Sequence, residues 1–223
     1  MDNKLFIKGE NGEFYEGPLS DKPTKLLFVM KEPNGEKLEC FWMKDKVITR
    51  EEGARYYNVL GAFAKSISNV NSHKEAWEQS AYINLYPFDG KSKAVSNHEI
   101  CKSYIDLINA INEWESTTEL DTAEPIDETS TKSQILCNRL KIIEIALEND
   151  ISVAVHFEIA DMIINHSVLS KYLKNENVIN VKHHIASFQY KDKKAKLYAI
   201  SHPANRQLKY SELEKILNTT IYP

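Results

Sequence analysis

The chain has 223 residues, 42% hydrophobic and 27% charged, the balance of an ordinary globular protein with enough length for a substantial core. Its formal net charge of −4 excludes a surface that is basic throughout, so any contact with nucleic acid must come from a local patch. No apolar run is long enough to cross a membrane, and Met1-Asp2-Asn3-Lys4 does not begin a signal peptide, so a cytoplasmic location is expected.

The N-terminus has the pattern of a β-hairpin. Leu5-Phe6-Ile7 and Glu13-Phe14-Tyr15 flank Gly9-Glu10-Asn11-Gly12, whose glycines suit the positive φ of a tight turn. Gly17-Pro18 and Lys22-Pro23 then break structure before the first core strand, Leu26 to Met30. A loop follows from Lys31 to Leu38. Apolar residues at helical spacing (Ala54, Tyr57, Leu60, Phe63, Ala64, Ile67) predict a helix from Arg50 to Ile67. The second strand is Ala81 to Leu85.

Ser96-Asn97-His98-Glu99 has the polar cap that opens a helix, which runs to about Trp114. Ser116 to Thr131 is acidic, Thr-rich and aperiodic, and is expected as a loop within the domain. Thr131 to Asn149 is predicted helical, Ile151 to His156 a third strand, and Glu158 to Leu173 another helix. Val178 to Val181, Ile185 to Tyr190 and Ala195 to Ile200 are short strands, the last two joined by Lys191-Asp192-Lys193-Lys194. That charged turn is expected to be solvated. Ser211 to Leu217 closes the chain as a helix.

Strongly apolar strands separated by helical crossovers imply one α/β domain over residues 1–223. The expected architecture is a three-layer α/β/α sandwich around a central, mainly parallel four-stranded sheet, plus the N-terminal β-hairpin. Ligands of such sheets bind beyond the carboxyl ends of the strands.

Three strands end in a polar side chain and proline: Met30-Lys31-Glu32-Pro33, Asn84-Leu85-Tyr86-Pro87 and Ile200-Ser201-His202-Pro203. Proline cannot donate to a ladder, so each marks the point where a strand stops and the chain turns outward. In a parallel sheet, Glu32, Asn84 and His202 would emerge at one edge. His156 ends the third strand, where it either lines the same cleft or caps the strand.

Cys40, Cys101 and Cys137 are far apart and form no Cys-x-x-Cys pair, so neither zinc nor an iron–sulfur cluster is expected. The chain also lacks a Gly-x-Ser-x-Gly elbow, a phosphate-binding glycine loop and a dinucleotide fingerprint. No metal or other cofactor is therefore expected.

In order, these junctions resemble the motifs of the uracil-DNA glycosylase superfamily. The resemblance spans the first core strand to the C-terminus and rests on about a dozen residues. It implies that Glu32 positions the hydrolytic water and that Phe41 in Glu39-Cys40-Phe41 is the ring on which an extruded base stacks. Asn84 would read the base edge, and His202 would stabilise the departing base. Asn205 and Arg206 in His202-Pro203-Ala204-Asn205-Arg206 would meet DNA, Arg206 as a wedge in the duplex.

DNA, single- or double-stranded, is the partner so implied, and uracil or a related damaged base the leaving group. Two departures stand out: Met30-Lys31 replaces the glycine-bearing start of the first motif, and Ala204 replaces a serine. They leave room for a non-catalytic protein of the same fold that binds nucleic acid or a nucleotide. A third alternative is a hydrolase for an unrelated small molecule using Glu32 and His202 as an acid–base pair.

Overall fold

The computed structural model describes residues 17–18, 20–30, 55–85, 132–166, 168–180 and 185–200. Within them the strands are β1 (Gly17–Pro18), β2 (Leu26–Met30), β3 (Ser80–Asn84), β4 (Ser152–His156), β5 (Leu173–Asn180), β6 (Ile185–Tyr190) and β7 (Lys196–Ile200). The helices are α1 (Arg55–Ser68), α2 (His73–Glu78), α3 (Lys132–Glu148) and α4 (Phe157–His166), with a 3-10 turn at Val168–Lys171.

All seven strands form one sheet in the order β1-β3-β2-β4-β7-β6-β5. The expected sheet of four strands is therefore too small. Its parallel core is as expected: β3 pairs with β2, β2 with β4, and β4 with β7, all parallel. The extra strands are antiparallel: β1 on one edge, and β6 and β5 on the other. Gly17-Pro18, expected to break structure, instead forms a two-residue edge strand, a place where proline's missing donor is tolerated. The expected N-terminal hairpin at residues 5–15 lies outside the described residues, as do the helices expected at 96–114 and 211–217.

The central strands are buried on both faces, which is why Leu26-Leu27-Phe28-Val29 is a continuous apolar run. Period-two alternation splits that run between two cores. Leu27, Val29, Ile83, Val153, Val155 and Leu197 pack with α3 and α4. Leu26, Phe28, Tyr82, Ala154, Tyr198 and Ile200 pack with α1 and α2. Helices thus cover the sheet on both sides. The crossover from β2 to β3 uses one face, and those that lead to β4 and, through α4, to β5 use the other. Crossovers of one hand that run in opposite directions must do this.

Helix α2 was not anticipated, although Ser72-His73-Lys74-Glu75 carries a capping signal. The Ser72 hydroxyl accepts from the Glu75 backbone N–H at 3.1 Å, satisfying a donor that has no partner within the helix. Ser80 then donates to the Ala76 carbonyl at 2.8 Å as the chain enters β3. Helices α1 and α2 approach closely at Gly61, where an added Cβ would stand 2.9 Å from His73 Nδ1 and 3.0 Å from its Cγ. Alanine would contribute about 1 kcal/mol of helix propensity. The clash is with the base of a ring, so overpacking of about 1–3 kcal/mol should prevail. Gly61→Ala is expected to lower the urea midpoint, and a raised midpoint would refute this packing.

The segment expected as a helix over Glu158 to Leu173 divides in two. Helix α4 stops at His166, and Leu173 already belongs to β5, which runs further back than the predicted Val178 start. Strand β5 pairs with β6 irregularly, with register shifts at Asn175/Asn177 and Val178/Asn180. Such bulges twist an outer strand and discourage addition of another.

The charged turn between β6 and β7 is anchored as well as solvated. Glu148, at the end of α3, accepts from the Tyr190 hydroxyl at 2.6 Å and from Lys191 Nζ. Lys193 Nζ donates to the Glu148 carbonyl at 2.8 Å, and the Lys194 backbone N–H donates to Asp150 at 2.9 Å. Lys191 and Asp150 both hold positive φ, 47° and 58°, so the two turns are shaped to meet. Lys191 Nζ also stands 4.5 Å from the Tyr172 ring centre and 4.9 Å from that of Tyr190.

The hydrogen bonds from Lys191 and Tyr190 hold the Glu148 carboxyl below its ordinary pKa. Burial, reinforced by Glu148, pushes the Tyr190 hydroxyl up. A carboxyl depressed on folding stabilises fully above its unfolded pKa, and the contribution is lost as pH falls through the folded value. Glu148→Gln is expected to cost about 1 kcal/mol at neutral pH, the partial exposure of both lysines limiting the effect. The difference from wild type should vanish at acid pH, where both chains are neutral there. A difference independent of pH would show that the ionic contacts contribute nothing.

Candidate functional site

The parallel register brings the ends of four strands into one row. Met30 pairs with Asn84 across β2 and β3, and His156 with Ile200 across β4 and β7. Val29 pairs with Val155 between them, so the order along the edge is Asn84, Met30, His156, Ile200. At about 4.8 Å per strand spacing, the row spans about 14 Å. The three strands that precede the proline-ended junctions, β2, β3 and β7, all have their carboxyl ends at this edge.

Strand order also marks a switch point on that edge. From β2 the chain crosses one way to β3, then returns past β2 to β4, and from β4 runs on to β5 at the far edge before coming back through β6 to β7. The connections leaving β2 and β4 therefore diverge in opposite directions. This makes the β2/β4 boundary a topological switch point, where open α/β sheets bind ligands. Glu32 follows β2 by two residues, and His156 closes β4.

Of the expected site residues, Asn84 is placed in the edge row by its backbone register. Glu32, Phe41, His202, Asn205 and Arg206 lie outside the described residues. The strands that lead to Glu32 and His202 have the orientation and edge that the sequence pattern anticipated.

His156 is the polar side chain described in this row. It is 7% exposed, and its ring centre lies 4.8 Å from that of Phe157 at an interplanar angle of 37°. Strand β4 passes into α4 with no intervening loop, so this ring pair sits at the strand-to-helix junction. The sequence had placed this imidazole at the end of the third strand, directly after Val153-Ala154-Val155.

The Lys191–Lys194 turn lies at the opposite edge. It precedes β7 and rests on the end of α3, and Ser152, which opens β4, accepts from the Lys196 backbone N–H at 3.2 Å. These lysines are thus a strand length away from the row of carboxyl ends and do not furnish it with a phosphate contact.

Among the described residues no three His, Cys, Asp or Glu side chains group to hold a metal ion. Cys137 is in no disulfide and is buried in α3, within the core against the sheet. No described helix is long and apolar enough to cross a membrane. Comparison of the chain with protein-family models, with curated proteins and with solved structures gave no match.

Proposed function

We propose that the protein is a cytoplasmic N-glycosidic hydrolase that removes uracil or a related damaged base from DNA. The observation that supports this reading is the parallel register of β2, β3 and β7. It brings the carboxyl ends of β2, which precedes Glu32, β3, which ends at Asn84, and β7, which precedes His202, to one edge that carries a topological switch point.

The reaction breaks the bond between the sugar C1′ and a base nitrogen. The electron pair leaves with the base, and water supplies the hydroxyl that joins C1′ and the proton that the base takes up. Positive charge grows on the sugar, and negative charge on the base. Glu32 as a carboxylate stabilises the first and orients the water. His202 as a neutral imidazole donates a hydrogen bond toward the base carbonyl and stabilises the second. Asn84 offers a donor and an acceptor together, the pair needed to grip a uracil-like edge.

Phe41 provides a stacking face worth about 1–3 kcal/mol per base. Asn205 contacts the strand, and Arg206 fills the space left by the extruded nucleotide.

The test is incubation of the purified full chain with single- and double-stranded oligonucleotides that carry one uracil. Free uracil and an abasic site are expected. Absence of release over a panel of base lesions would reject the proposal. Met30-Lys31 in place of a glycine favours one other reading, a non-catalytic protein that binds a nucleobase at the same edge. Its signature is saturable binding without turnover.

A further inference from the structure

The opposite edge of the sheet, where β5 and β7 begin, carries a separate group of side chains. Tyr172 joins the 3-10 turn to β5 and is 42% exposed, the one large apolar side chain so placed among the described residues. A single exposed aromatic residue is common and by itself means little. This one is held in place. Its backbone N–H donates to the Leu169 carbonyl at 2.9 Å, and its carbonyl accepts from the Lys191 N–H at 2.9 Å. The buried Tyr190 ring meets it edge-on, centroids 6.2 Å apart and inclined by 75°. Lys191 Nζ, itself donating to Glu148, stands 4.5 Å from its ring centre. A ring fixed in this way and still wet has little rotamer freedom left to lose when a ligand lands on it.

Lys171, Lys174 and Lys194 are exposed on the same turn and strand ends, and among the described residues none of the three forms an ion pair. Most of the carboxylates at this end are turned inward. Glu144 is buried, Glu148 meets Lys191 and Lys193, and Asp150 accepts from the Lys194 backbone N–H, which leaves Asp192 exposed. An ordered aromatic ring beside exposed ammonium groups is the combination that holds single strands, whose bases stack while their phosphates meet the cations. A duplex keeps its base faces within its own stack and has none to offer the ring.

We propose that Tyr172 is a stacking platform for a base of single-stranded nucleic acid, with Lys171, Lys174 and Lys194 meeting the phosphates on either side. The surface lies across the sheet from the row of strand ends. The inference therefore stands independently of the hydrolase reading and adds a second place at which a strand is gripped.

Fluorescence anisotropy of a labelled oligothymidine titrated with the purified full chain tests it. Oligothymidine carries no uracil, so binding is read without turnover whichever way the release test falls. Saturable binding is expected, weakened about tenfold in Tyr172→Ala and nearly unchanged in Tyr172→Phe, which keeps the ring. Lys171→Gln combined with Lys174→Gln should flatten the slope of log affinity against log salt by about 1.4, since each phosphate contact on a single strand contributes about 0.7.

Absence of saturable binding overturns the proposal. Unchanged affinity in Tyr172→Ala overturns it too, and a salt slope still flattened by the lysine changes would then identify a surface for anions in general. Equal weakening in Tyr172→Phe and Tyr172→Ala would assign the contact to the hydroxyl and remove the stacking. The urea midpoint of each variant checks its folding. Should Tyr172→Ala fail to fold, Tyr172→Leu, which fills the space without a flat ring, takes its place with the same expected loss.

Discussion

Glu32→Gln is expected to slow single-turnover release of uracil by about 10²–10⁴-fold, the range lost when a positioned acid–base group is removed. The amide keeps the size and much of the hydrogen bonding of the carboxylate. It lacks the charge, and charge is what opposes the growing positive sugar. In the proposed reaction His202→Ala would remove the donor to the developing negative charge, and about 10²–10³-fold should be lost. Each corresponds to about 3–5 kcal/mol at the transition state, far more than a solvated turn residue contributes.

The pair should also be non-additive. Once charge on one side of the breaking bond is uncompensated, the opposite group has less to stabilise, so the double variant should be slower than either single one by less than their product. Substrate affinity under non-turnover conditions should change little, because both contacts strengthen mainly as the bond breaks. Full activity in both single variants would remove the two residues from the chemistry. Lost affinity with unchanged turnover would reassign them to binding.

The parallel core was legible because burial on both faces leaves an unmistakable residue pattern. Leu26-Leu27-Phe28-Val29 and Val153-Ala154-Val155 have no polar position, and only sheets covered by helices on both sides require that. The carboxyl edge was legible because proline closes β2 and β3 and follows β7. The outer strands were harder to see for a physical reason. Leu173-Lys174-Asn175-Glu176-Asn177 lies at the edge of the sheet, pairs irregularly, and has no apolar–polar alternation in its sequence.

Gly17-Pro18 gave the opposite signal to its role, since a two-residue edge strand needs neither propensity nor a full set of donors. The site divides along the same line. Residues fixed by the ladder, Asn84 and His156, could be placed by register alone. A single imidazole on an apolar strand has no spacing pattern to mark its role. That His156 lies between the ends of β2 and β7 follows from strand order, a long-range property that local sequence does not encode.

Phe28→Ala is expected to be the most damaging of the proposed changes to stability. Strand β2 is paired on both sides, to β3 and β4, and the Phe28 ring is fully buried against the Trp77 ring, centroids 5.4 Å apart and tilted by 42°. Truncation removes the apolar area of the ring and leaves a cavity between the sheet and α2, a loss of about 3–5 kcal/mol. The tilted ring pair adds about 0.5–1.5 kcal/mol beyond area burial, which places the estimate toward the upper end. Against a total of about 5–15 kcal/mol for a domain, this is a large fraction. The melting temperature should fall by about 6–20 °C for a chain of this length.

Phe28→Leu separates volume from aromatic contact, since it retains most of the apolar fill and should cost only about 1–1.5 kcal/mol. Urea midpoints of the three proteins should order as wild type, leucine, alanine, with a common slope if the unfolded state is unaltered. The ring also lies two residues before Met30, on the strand that leads to Glu32. A cavity there loosens the element that carries the proposed carboxylate, so any base release should decline in the alanine variant well below its melting temperature. Equal midpoints for the alanine variant and wild type would mean that the α2 face does not pack on this strand, and the two-sided burial from which the parallel core follows would fall with it.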